Sequence, residues 1–363
     1  MNPNHLYKNK KILITGHTGF KGSWMCALLR ALGAQVTGYS LEPPTAPSLF
    51  ELCHLADGME SIMGDVRDLP HLQQVFGRVR PEIVIHMAAQ PIVRESYKNP
   101  VYTYDVNVMG TVHVLECIRQ TESVRSFVNV TTDKVYKNRE WVWGYRENEE
   151  LNGYDPYSNS KSCSELVTDS YCQSFFTDGR VAVSTARAGN VIGGGDFATD
   201  RIIPDCIRAV EKGGTIAVRN PYSVRPYQHV LEPVTVYLMI AAAQYETQSY
   251  AGNYNVGPDD NDCYTTGALV DLFCRKWQSE TGQETRWEDR YDGGPHEAGF
   301  LKLDCSKLKN TFGWKPVWNV ETAMEKIAQW SHCRRRGEDI AACMDRQAAC
   351  FLKAWEEKGN RAF

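Results

Sequence analysis

The chain has 363 residues, of which 42% are hydrophobic and 23% are charged, and its formal net charge is -4. This composition is typical of a folded globular protein and excludes a largely disordered one. The chain has neither a basic excess nor a long basic run, so nucleic acid is not an expected partner.

The amino terminus and the cysteine pattern predict a cytoplasmic protein. Residues 1–10 are polar and no apolar run is long enough to span a membrane, so we expect neither a signal peptide nor a membrane partner. The 12 cysteines are scattered without CxxC pairs or metal-ligand spacing. Reduced thiols, no disulfide framework and no bound metal are therefore expected.

Short β-branched segments alternate with longer helical patterns in the first half of the chain. This alternation predicts an α/β fold with a doubly wound parallel sheet of six or seven strands, covered by helices on both faces. An amphipathic helix is expected after the first strand. The predicted strands are, in chain order, KKILITG up to Gly16, QVTGYS ending near Ser40, IMGD near Met63, EIVIHMA at 82–88, FVNVTT at 127–132 and VAVSTARAGN at 181–190.

The first predicted strand leads directly into a glycine-rich turn with the sequence TGHTGFKG, and its glycines stand at positions 16, 19 and 22. Glycine permits a tight turn and a close approach of the backbone to a pyrophosphate, and the following helix offers N–H donors at its amino end. An ordinary turn between strand and helix is the alternative. Because a strand precedes the motif and a helix follows it, dinucleotide binding is favoured.

Tyr157 and Lys161 stand four residues apart at the start of a predicted helix that extends to about Phe176. At this spacing the phenol and the ammonium lie on one helix face, where the positive charge lowers the pKa of the tyrosine and lets it act as a base. The spacing alone proves little, since Tyr7 and Lys11 repeat it. Chain order favours the later pair, which follows the glycine turn, four further strands and a threonine that ends strand five.

The glycine turn resembles the TGxxGxxG signature of the extended short-chain dehydrogenases/reductases, and the similarity extends over essentially the whole chain. The resemblance implies a Rossmann domain that binds a nicotinamide dinucleotide, with Tyr157 and Lys161 both catalytic and in contact with the cofactor. It assigns further cofactor contacts to Gly16, His17, Thr18, Gly19, Phe20, Gly22, Ser40, Asp65, Val66, Ala88, Ala89, Gln90 and Asn107.

The end of strand two bears on the choice between NAD and NADP. The family normally has an acidic residue there that accepts a hydrogen bond from the adenosine ribose. This chain has Ser40 at that place and Glu42 just beyond it. Residues 39–53 contain no lysine or arginine that could bind a ribose 2′-phosphate, so we predict NAD.

Thr132, Asp133 and Lys134 follow strand five, where the resemblance places the catalytic loop. The threonine corresponds to the hydroxyl that hydrogen-bonds the substrate beside the tyrosine. Sugar-nucleotide 4,6-dehydratases of the family add two ionisable groups, usually Asp-Glu, and the Asp-Lys found here is similar to the pair of the CDP-glucose 4,6-dehydratase subfamily. A solvated charge pair on a loop is the alternative.

The resemblance implies a lyase that converts a nucleotide-linked glucose to its 4-keto-6-deoxy form without net consumption of NAD. Tyr157 takes the proton of the carbon-4 hydroxyl while hydride passes to NAD. Water is then lost across carbons 5 and 6, with Asp133 and Lys134 as acid and base in an order that the sequence leaves open, and hydride returns to carbon 6. An epimerase or dehydratase for dTDP-, UDP- or GDP-hexoses is one alternative, and a non-catalytic dinucleotide-binding regulator is another.

Beyond strand six the pattern becomes irregular and predicts a smaller mixed α/β domain for the nucleotide sugar. We expect the Rossmann domain at 1–190 with 228–250 returning to it, the substrate domain at 191–227 and 251–330, and a helical segment at 331–363. A homodimer joined by two helices from each subunit, one of which carries Tyr157, is also expected. The substrate contacts that the resemblance suggests are Asn190, Arg201, Arg219, Arg225 and His296, although an arginine there could equally form a structural salt bridge.

Overall fold

A computed structural model describes residues 6–291 and 299–361 of the chain. The predicted substrate contact His296 lies outside the described residues. The strands are β1 (Lys11–Thr15), β2 (Gln35–Ser40), β3 (Glu60–Met63), β4 (Ile83–His86), β5 (Ser126–Thr132), β6 (Ala182–Ala188), β7 (Asn190–Ile192), β8 (Ile216–Val218), β9 (Val224–His229), β10 (Asn253–Val256), β11 (Cys263–Thr265) and β12 (Trp287–Asp289).

Helices surround these strands, and none of the described ones is long and apolar enough to cross a membrane. A short π-helical stretch, Asp105–Met109, separates the fifth helix from the sixth. The α-helices are α1 (Phe20–Ala31), α2 (Leu49–Leu52), α3 (Leu69–Val79), α4 (Val93–Lys98), α5 (Pro100–Tyr104), α6 (Gly110–Gln120), α7 (Pro156–Phe175), α8 (Ile202–Glu211), α9 (Leu231–Glu246), α10 (Thr266–Thr281), α11 (Ser306–Phe312), α12 (Val320–Arg335) and α13 (Ile340–Glu357).

Seven parallel strands form the central sheet in the order β10-β6-β5-β4-β1-β2-β3. Successive side chains of β1 enter different cores: Ile12 and Ile14 pack in one hydrophobic cluster and Leu13 packs in another. Both faces of the sheet are thus covered, as the continuous apolar strands require. The predicted doubly wound fold is confirmed, and each of the six predicted strands is present.

The seventh strand, Asn253–Val256, pairs with β6 at the edge of this sheet. The sequence had placed this segment with the substrate domain, so that part of the domain prediction needs correction. Its two asparagines obscure the pattern of a buried strand, but Asn255 is fully buried and hydrogen-bonded to Tyr136 and to backbone carbonyls. Helix α9 packs against β5 and β6, while α12 crosses the predicted boundary at residue 330.

A smaller group of elements lies beyond the carboxyl ends of the sheet strands. It contains a three-stranded sheet, β11-β9-β7, and the pair β12-β8. Helices α8, α10 and α12 enclose a third hydrophobic core, in which Ile203, Trp277 and Met324 are buried. The mixed α/β character expected for this region is confirmed, whereas its role in binding stays a prediction.

Candidate active site

A cavity of 990 Å³ lies between the central sheet and the smaller group of elements. Strands β5 and β6 end at this cavity, as expected for a ligand site in a doubly wound fold. Residues that are far apart in the sequence meet there. The predicted catalytic and substrate residues that line it are Thr132, Lys134, Tyr157, Asn190, Arg201, Arg219 and Arg225.

The three residues after β5 form a hydrogen-bonded unit at the cavity wall. Asp133 accepts hydrogen bonds at Oδ1 from Thr132 Oγ1 at 3.0 Å and from Lys134 Nζ at 2.9 Å. The Lys134 ammonium also donates to Asn190 Oδ1 at 3.1 Å. The ammonium is therefore held between one carboxylate and one amide, and this partly buried geometry is not that of a freely solvated charge pair.

Asp133 and Lys134 differ in their access to the cavity. The Asp133 side chain has no exposed surface, whereas 25% of the Lys134 side chain is exposed. Asp133 Oδ2 is buried and has no hydrogen-bond partner among the described residues. Of the predicted acid-base pair, Lys134 thus faces the cavity while Asp133 lies behind it with a free acceptor oxygen.

Helix α7 carries Tyr157 and Lys161 and begins with strong local signals. Asp155 caps it by accepting a hydrogen bond from Ser158 N at 2.9 Å, and Pro156 occupies its first position. The buried Lys161 ammonium donates to the carbonyl of Val130 on β5 at 3.2 Å. The helix start therefore fixes both residues beside the end of β5.

Burial dominates the electrostatics of this pair. It raises the pKa of Tyr157 to about 12, although a hydrogen bond with Thr132 acts in the opposite direction. Burial lowers the pKa of Lys161 to about 8, and the nearby Glu165 carboxylate opposes that change. Burial therefore holds Tyr157 protonated at neutral pH, and additional positive charge beside the phenol is needed for it to ionise and act as a base.

The glycine turn between β1 and α1 has the shape that a dinucleotide requires. Gly16 has a φ of 80°, and a Cβ there would lie 2.7 Å from the backbone nitrogen of Ala88. A Cβ at Gly22 would lie 2.2 Å from the carbonyl oxygen of Gly16. At Gly19 the protein has space for a side chain, because a Cβ there would contact only the Gly16 carbonyl oxygen, at 3.5 Å. A glycine at 19 is thus explained by a ligand that lies against the turn, and the turn fits a pyrophosphate.

Two other residues of the turn have partners within the protein. The His17 ring is fully buried against Gly38, its Nε2 lies 2.7 Å from Ser61 Oγ, and burial lowers its pKa to about 4. The predicted cofactor contact of His17 therefore cannot involve its imidazole in this arrangement and remains a prediction for its backbone. Thr18 Oγ1 lies 2.9 Å from Ser40 Oγ, which joins the turn to the end of β2.

The predicted adenine-contacting pair lies after β3. Asp65 forms an ion pair with Arg67 at 2.6 Å, and Arg67 also reaches Asp105 at 3.3 Å. Burial acts to raise the pKa of Asp65, but the hydrogen bonds from Arg67 outweigh it and the pKa lies below its usual value. Val66 is buried against Gly110 and its carbonyl oxygen lies 2.9 Å from His113 Nδ1, so its backbone nitrogen is the part left for a ligand.

Asn107 and Gln90 connect the loop after β4 to the catalytic helix. Asn107 Oδ1 accepts from Gln90 N at 2.8 Å, and its Nδ2 donates to Ser160 Oγ at 2.9 Å. The Gln90 side-chain amide donates a hydrogen bond to Thr103 Oγ1 on α5 at 2.9 Å. Both side chains therefore shape the loop that contains Ala88 and Ala89, which are half-buried.

The predicted substrate arginines surround the cavity with different partners. Arg201 forms an ion pair with the buried Asp196 at 2.9 Å, and Arg219 bonds Asp200 at 2.6 Å. Arg225 is buried and donates to the carbonyl of Val224 at 2.9 Å. Arg201 and Arg219 thus form salt bridges, as expected if they have a structural role. All three arginines also line the cavity, where they can bind an anionic ligand.

Sequence reasoning missed Lys21, which lines the same cavity from the first turn of α1. The sequence could have indicated Lys21 only through its position inside the glycine motif, where this charged residue precedes the buried residues 22–29 of α1. The signal was weak because position 21 reads equally well as a solvated helix start.

Comparisons with known proteins identify relatives over most of the chain. The family profile described as GDP-mannose 4,6 dehydratase matches residues 13–327. The chain is 47% identical over 356 residues to a CDP-glucose 4,6-dehydratase of Salmonella typhimurium, a match that covers 96% of this chain and 98% of the relative. It is 24% identical to a CDP-paratose 2-epimerase of Salmonella typhi, over 88% of this chain and 99% of the relative.

Solved structures share the fold at low sequence identity. A dTDP-glucose 4,6-dehydratase from Bacillus anthracis in complex with NAD superposes with a TM-score of 0.75 at 20% identity, covering 92% of this chain and 99% of that one. A UDP-glucose 4-epimerase from Stenotrophomonas maltophila with bound NAD gives a TM-score of 0.78 at 19% identity, covering 91% and 100%.

Proposed function

The chain belongs to the GDP-mannose 4,6 dehydratase family, and on that premise we propose that it is an NAD-dependent 4,6-dehydratase of CDP-D-glucose. The observation that carries the proposal is the hydrogen-bonded unit of Thr132, Asp133 and Lys134 beside Tyr157 in one cavity. An oxidation at carbon 4 alone needs the threonine, tyrosine and lysine. A second pair of ionisable groups at the same place supports a dehydration as well.

Cofactor binding is assigned to the turn at Gly16, Gly19 and Gly22 and to the loops after β2, β3 and β4. The open space beside the Cα of Gly19 is consistent with a pyrophosphate bound against the turn. At the adenosine end, the Thr18 and Ser40 hydroxyls bond each other, and residues 39–53 offer no cation for a 2′-phosphate. Bound NAD supplies a hydride acceptor and, once reduced, a hydride donor.

In the first half of the reaction, Tyr157 accepts the proton of the carbon-4 hydroxyl. Its ionisation is favoured by the Thr132 hydrogen bond and by the nearby Arg201 charge, both of which lower its pKa against the effect of burial. Lys161 holds the backbone of β5 and supplies a buried positive charge one helical turn away. The product of this half is a 4-keto sugar.

In the second half, the ketone acidifies the hydrogen at carbon 5, and the Asp133–Lys134 pair moves two protons. One proton is taken from carbon 5, and one is given to the hydroxyl that leaves carbon 6 as water, with Asp133 and Lys134 together as the acid and base. Because Lys134 lines the cavity and Asp133 lies behind it, we assign the sugar contact to Lys134. Asp133 exchanges protons with it through their 2.9 Å hydrogen bond.

The assignment of CDP-glucose rests on the Salmonella typhimurium relative, which is 47% identical over 96% of this chain. Asn190, Arg201, Arg219 and Arg225 are proposed to hold the nucleotide sugar, since they line the cavity. The division into an NAD-binding domain, a substrate-binding domain and a C-terminal helical segment is proposed with the sequence-based boundaries, except that 253–256 belongs to the central sheet.

A homodimer joined by two helices from each subunit, one of them α7, is proposed from exposed apolar side chains on α7 and on the neighbouring α5. Val101 is 83% exposed, Leu166 is 55% exposed and Phe175 is 51% exposed. Burying them against a second copy would remove this apolar surface from water. Sedimentation should give a dimer that Leu166→Glu dissociates, whereas Val142→Glu, at an exposed position elsewhere, should leave it intact. We also propose a cytoplasmic location, since all 12 cysteines are free thiols.

The activity is tested by incubating the purified protein with CDP-, dTDP-, UDP- and GDP-hexoses in deuterated water. Loss of water with deuterium at carbon 5 from CDP-glucose, and not from the others, is the expected result. Water loss from a different nucleotide would correct the substrate. An inverted sugar without water loss would mean an epimerase, and no turnover with any of them would support a dinucleotide-binding regulator.

A further inference from the structure

Asn190 is the first residue of β7, and its side-chain amide contacts the proposed acid-base pair. Its Oδ1 accepts a hydrogen bond from Lys134 Nζ at 3.1 Å. The same ammonium donates to Asp133 Oδ1 at 2.9 Å. Asn190 also lines the cavity, yet its amide oxygen is already bonded to a residue of the reaction. A contact with the nucleotide sugar therefore does not account for this side of the amide.

The backbone around Asn190 is fixed by strands other than the one that leads to Lys134. Strand β7 pairs in parallel with β9. The preceding residue, Gly189, donates its N–H to the carbonyl of Val256 on β10 at 3.4 Å. A Cβ at Gly189 would lie 3.4 Å from Oδ2 of Asp133. The turn between β6 and β7 thus lies against both members of the pair, with Gly189 beside the carboxylate and Asn190 beside the ammonium.

A second anchor matters because the lysine side chain is long and flexible. Holding it in one conformation costs rotamer entropy, and a single hydrogen bond to the adjacent Asp133 leaves several conformations open. The Asn190 oxygen adds a fixed point from a different strand. An ammonium has three N–H donors. Asp133 and Asn190 take two of them, which leaves one donor of Lys134 for a ligand in the cavity.

We propose that the Asn190 amide oxygen holds the Lys134 ammonium in position for the loss of water and has no comparable role in the oxidation at carbon 4. This inference rests on the proposed function, in which Lys134 serves only the second half of the reaction. Asn190 is a positioning residue in this half, because it acts through Lys134. The first half uses Thr132, Tyr157 and Lys161, which β5 and α7 hold in place.

Single turnover of CDP-glucose by the protein with bound NAD, in deuterated water, separates the two halves. The variants are Asn190→Leu, which removes the acceptor, Asn190→Asp, which keeps an acceptor oxygen, and Asn310→Leu, a control at an exposed asparagine of α11. In Asn190→Leu, reduced nicotinamide should form at the parental rate. Deuterium at carbon 5 should appear about 10- to 100-fold more slowly, as expected when a hydrogen bond to a charged group is lost. Asn190→Asp should be faster in this step than Asn190→Leu, and Asn310→Leu should match the parent.

A double variant tests whether Asn190 acts through Lys134. In a Lys134→Met background, adding Asn190→Leu should cause no further loss of elimination, because no ammonium remains to be held. An additional loss in the double variant would overturn the proposal, since a general structural role or a direct contact with the sugar would produce it. Equal slowing of both halves in Asn190→Leu, or a raised KM for CDP-glucose with an unchanged elimination rate, would overturn it too.

Labelling with acetic anhydride reports the contact without turnover. Lys134 should be acetylated faster in Asn190→Leu than in the parent, because the amide no longer holds the amine, while the exposed Lys8 should be labelled equally in both. Equal labelling of Lys134 in the two proteins would overturn the proposal. If the parent dehydrates no nucleotide hexose, the proposed function fails, whereas the labelling result still decides whether Asn190 holds the ammonium.

Discussion

The Nζ of Lys134 lies 2.9 Å from Oδ1 of Asp133, a carboxylate with no exposed surface. The Lys134 ammonium therefore lies at the cavity surface, and the Asp133 carboxylate lies behind it in the protein interior. A proton that enters or leaves Lys134 can be balanced by Asp133 through this contact. The arrangement gives the second half of the reaction its own acid-base system, separate from Tyr157.

Replacing either member of this pair is expected to separate the two halves of the reaction. Lys134→Met and Asp133→Asn should still oxidise carbon 4, because Thr132, Tyr157 and Lys161 remain. Dehydration should fall about 10²- to 10⁴-fold, as is usual when a general acid or base is lost. Single-turnover spectra would then show reduced nicotinamide that persists, while NMR shows no deuterium at carbon 5. Lys8→Met serves as the control, and full dehydration by Lys134→Met or by Lys134→Glu would contradict a specific role for the lysine.

The sequence was sufficient for the central sheet because buried parallel strands are nearly continuous apolar runs. Residues 83–85 and 127–130 illustrate this, and both segments are strands in the structure. The strand Asn253–Val256 was not predicted, because a polar residue, Asn255, is buried in it. Asn255 forms hydrogen bonds with the Tyr136 hydroxyl and with the carbonyls of Tyr145 and Asp304. Those partners come from distant segments, so no local pattern could reveal them.

The sequence predicted which motifs form the site, but it did not predict which of their side chains are exposed to the cavity. The order of the glycine turn, Thr132 and Tyr157 along the chain led to residues that do meet in space. The depth of Asp133 behind Lys134, and the burial of the His17 ring on Gly38, depend on packing between separate elements. A sequence motif identifies residues that are close along the chain. The burial of a side chain depends on all the helices and strands that pack around it.

The hydrogen bond between Thr132 and Tyr157 should set the pH range of the oxidation step. Burial raises the pKa of Tyr157 to about 12, and the Thr132 hydroxyl lowers it from where burial alone would place it. In Thr132→Val the tyrosine pKa rises, so the acid limb of kcat/KM moves to higher pH, and the rate at a fixed pH on that limb falls about tenfold for each pH unit that it moves. Thr132→Ser keeps the hydroxyl and should keep the profile of the parent. An unmoved acid limb in Thr132→Val would mean that another group limits the step.

The stability of the protein should be sensitive to the loss of one partner of a buried ion pair behind the active site. Arg187 on β6 and Glu165 on α7 form two hydrogen bonds of 3.0 and 2.9 Å, and both side chains are almost fully buried. Arg187→Met leaves the carboxylate uncompensated and is expected to lower the free energy of unfolding by about 3–5 kcal/mol. Adding Glu165→Gln removes that buried charge and retains an acceptor for Thr185, so the double variant should recover part of the loss. Denaturation midpoints measure both, and a double variant weaker than Arg187→Met would contradict an uncompensated charge as the cause.

Glu232, in the first turn of α9, should make stability depend on pH. Its Oε1 accepts hydrogen bonds from the backbone nitrogens of Val317 and Trp318 at 2.8 and 2.6 Å. Burial raises its pKa from 4.5 to about 8, an effect that these two hydrogen bonds oppose. The folded chain therefore holds a proton that the unfolded chain releases, and the stabilisation is complete below pH 4.5 and is lost as the pH rises through about 8.

The variant Glu232→Gln isolates this effect, because it keeps the accepting oxygen and cannot ionise. Between about pH 5 and pH 8 the free energy of unfolding of the parent should fall relative to that of the variant by about 1.4 kcal/mol for each pH unit. Urea midpoints of both proteins over that range measure the slope. A difference that stays constant with pH would mean that Glu232 is already ionised in the folded protein. Other groups titrate in both proteins alike, so only Glu232 can produce the expected slope in the difference.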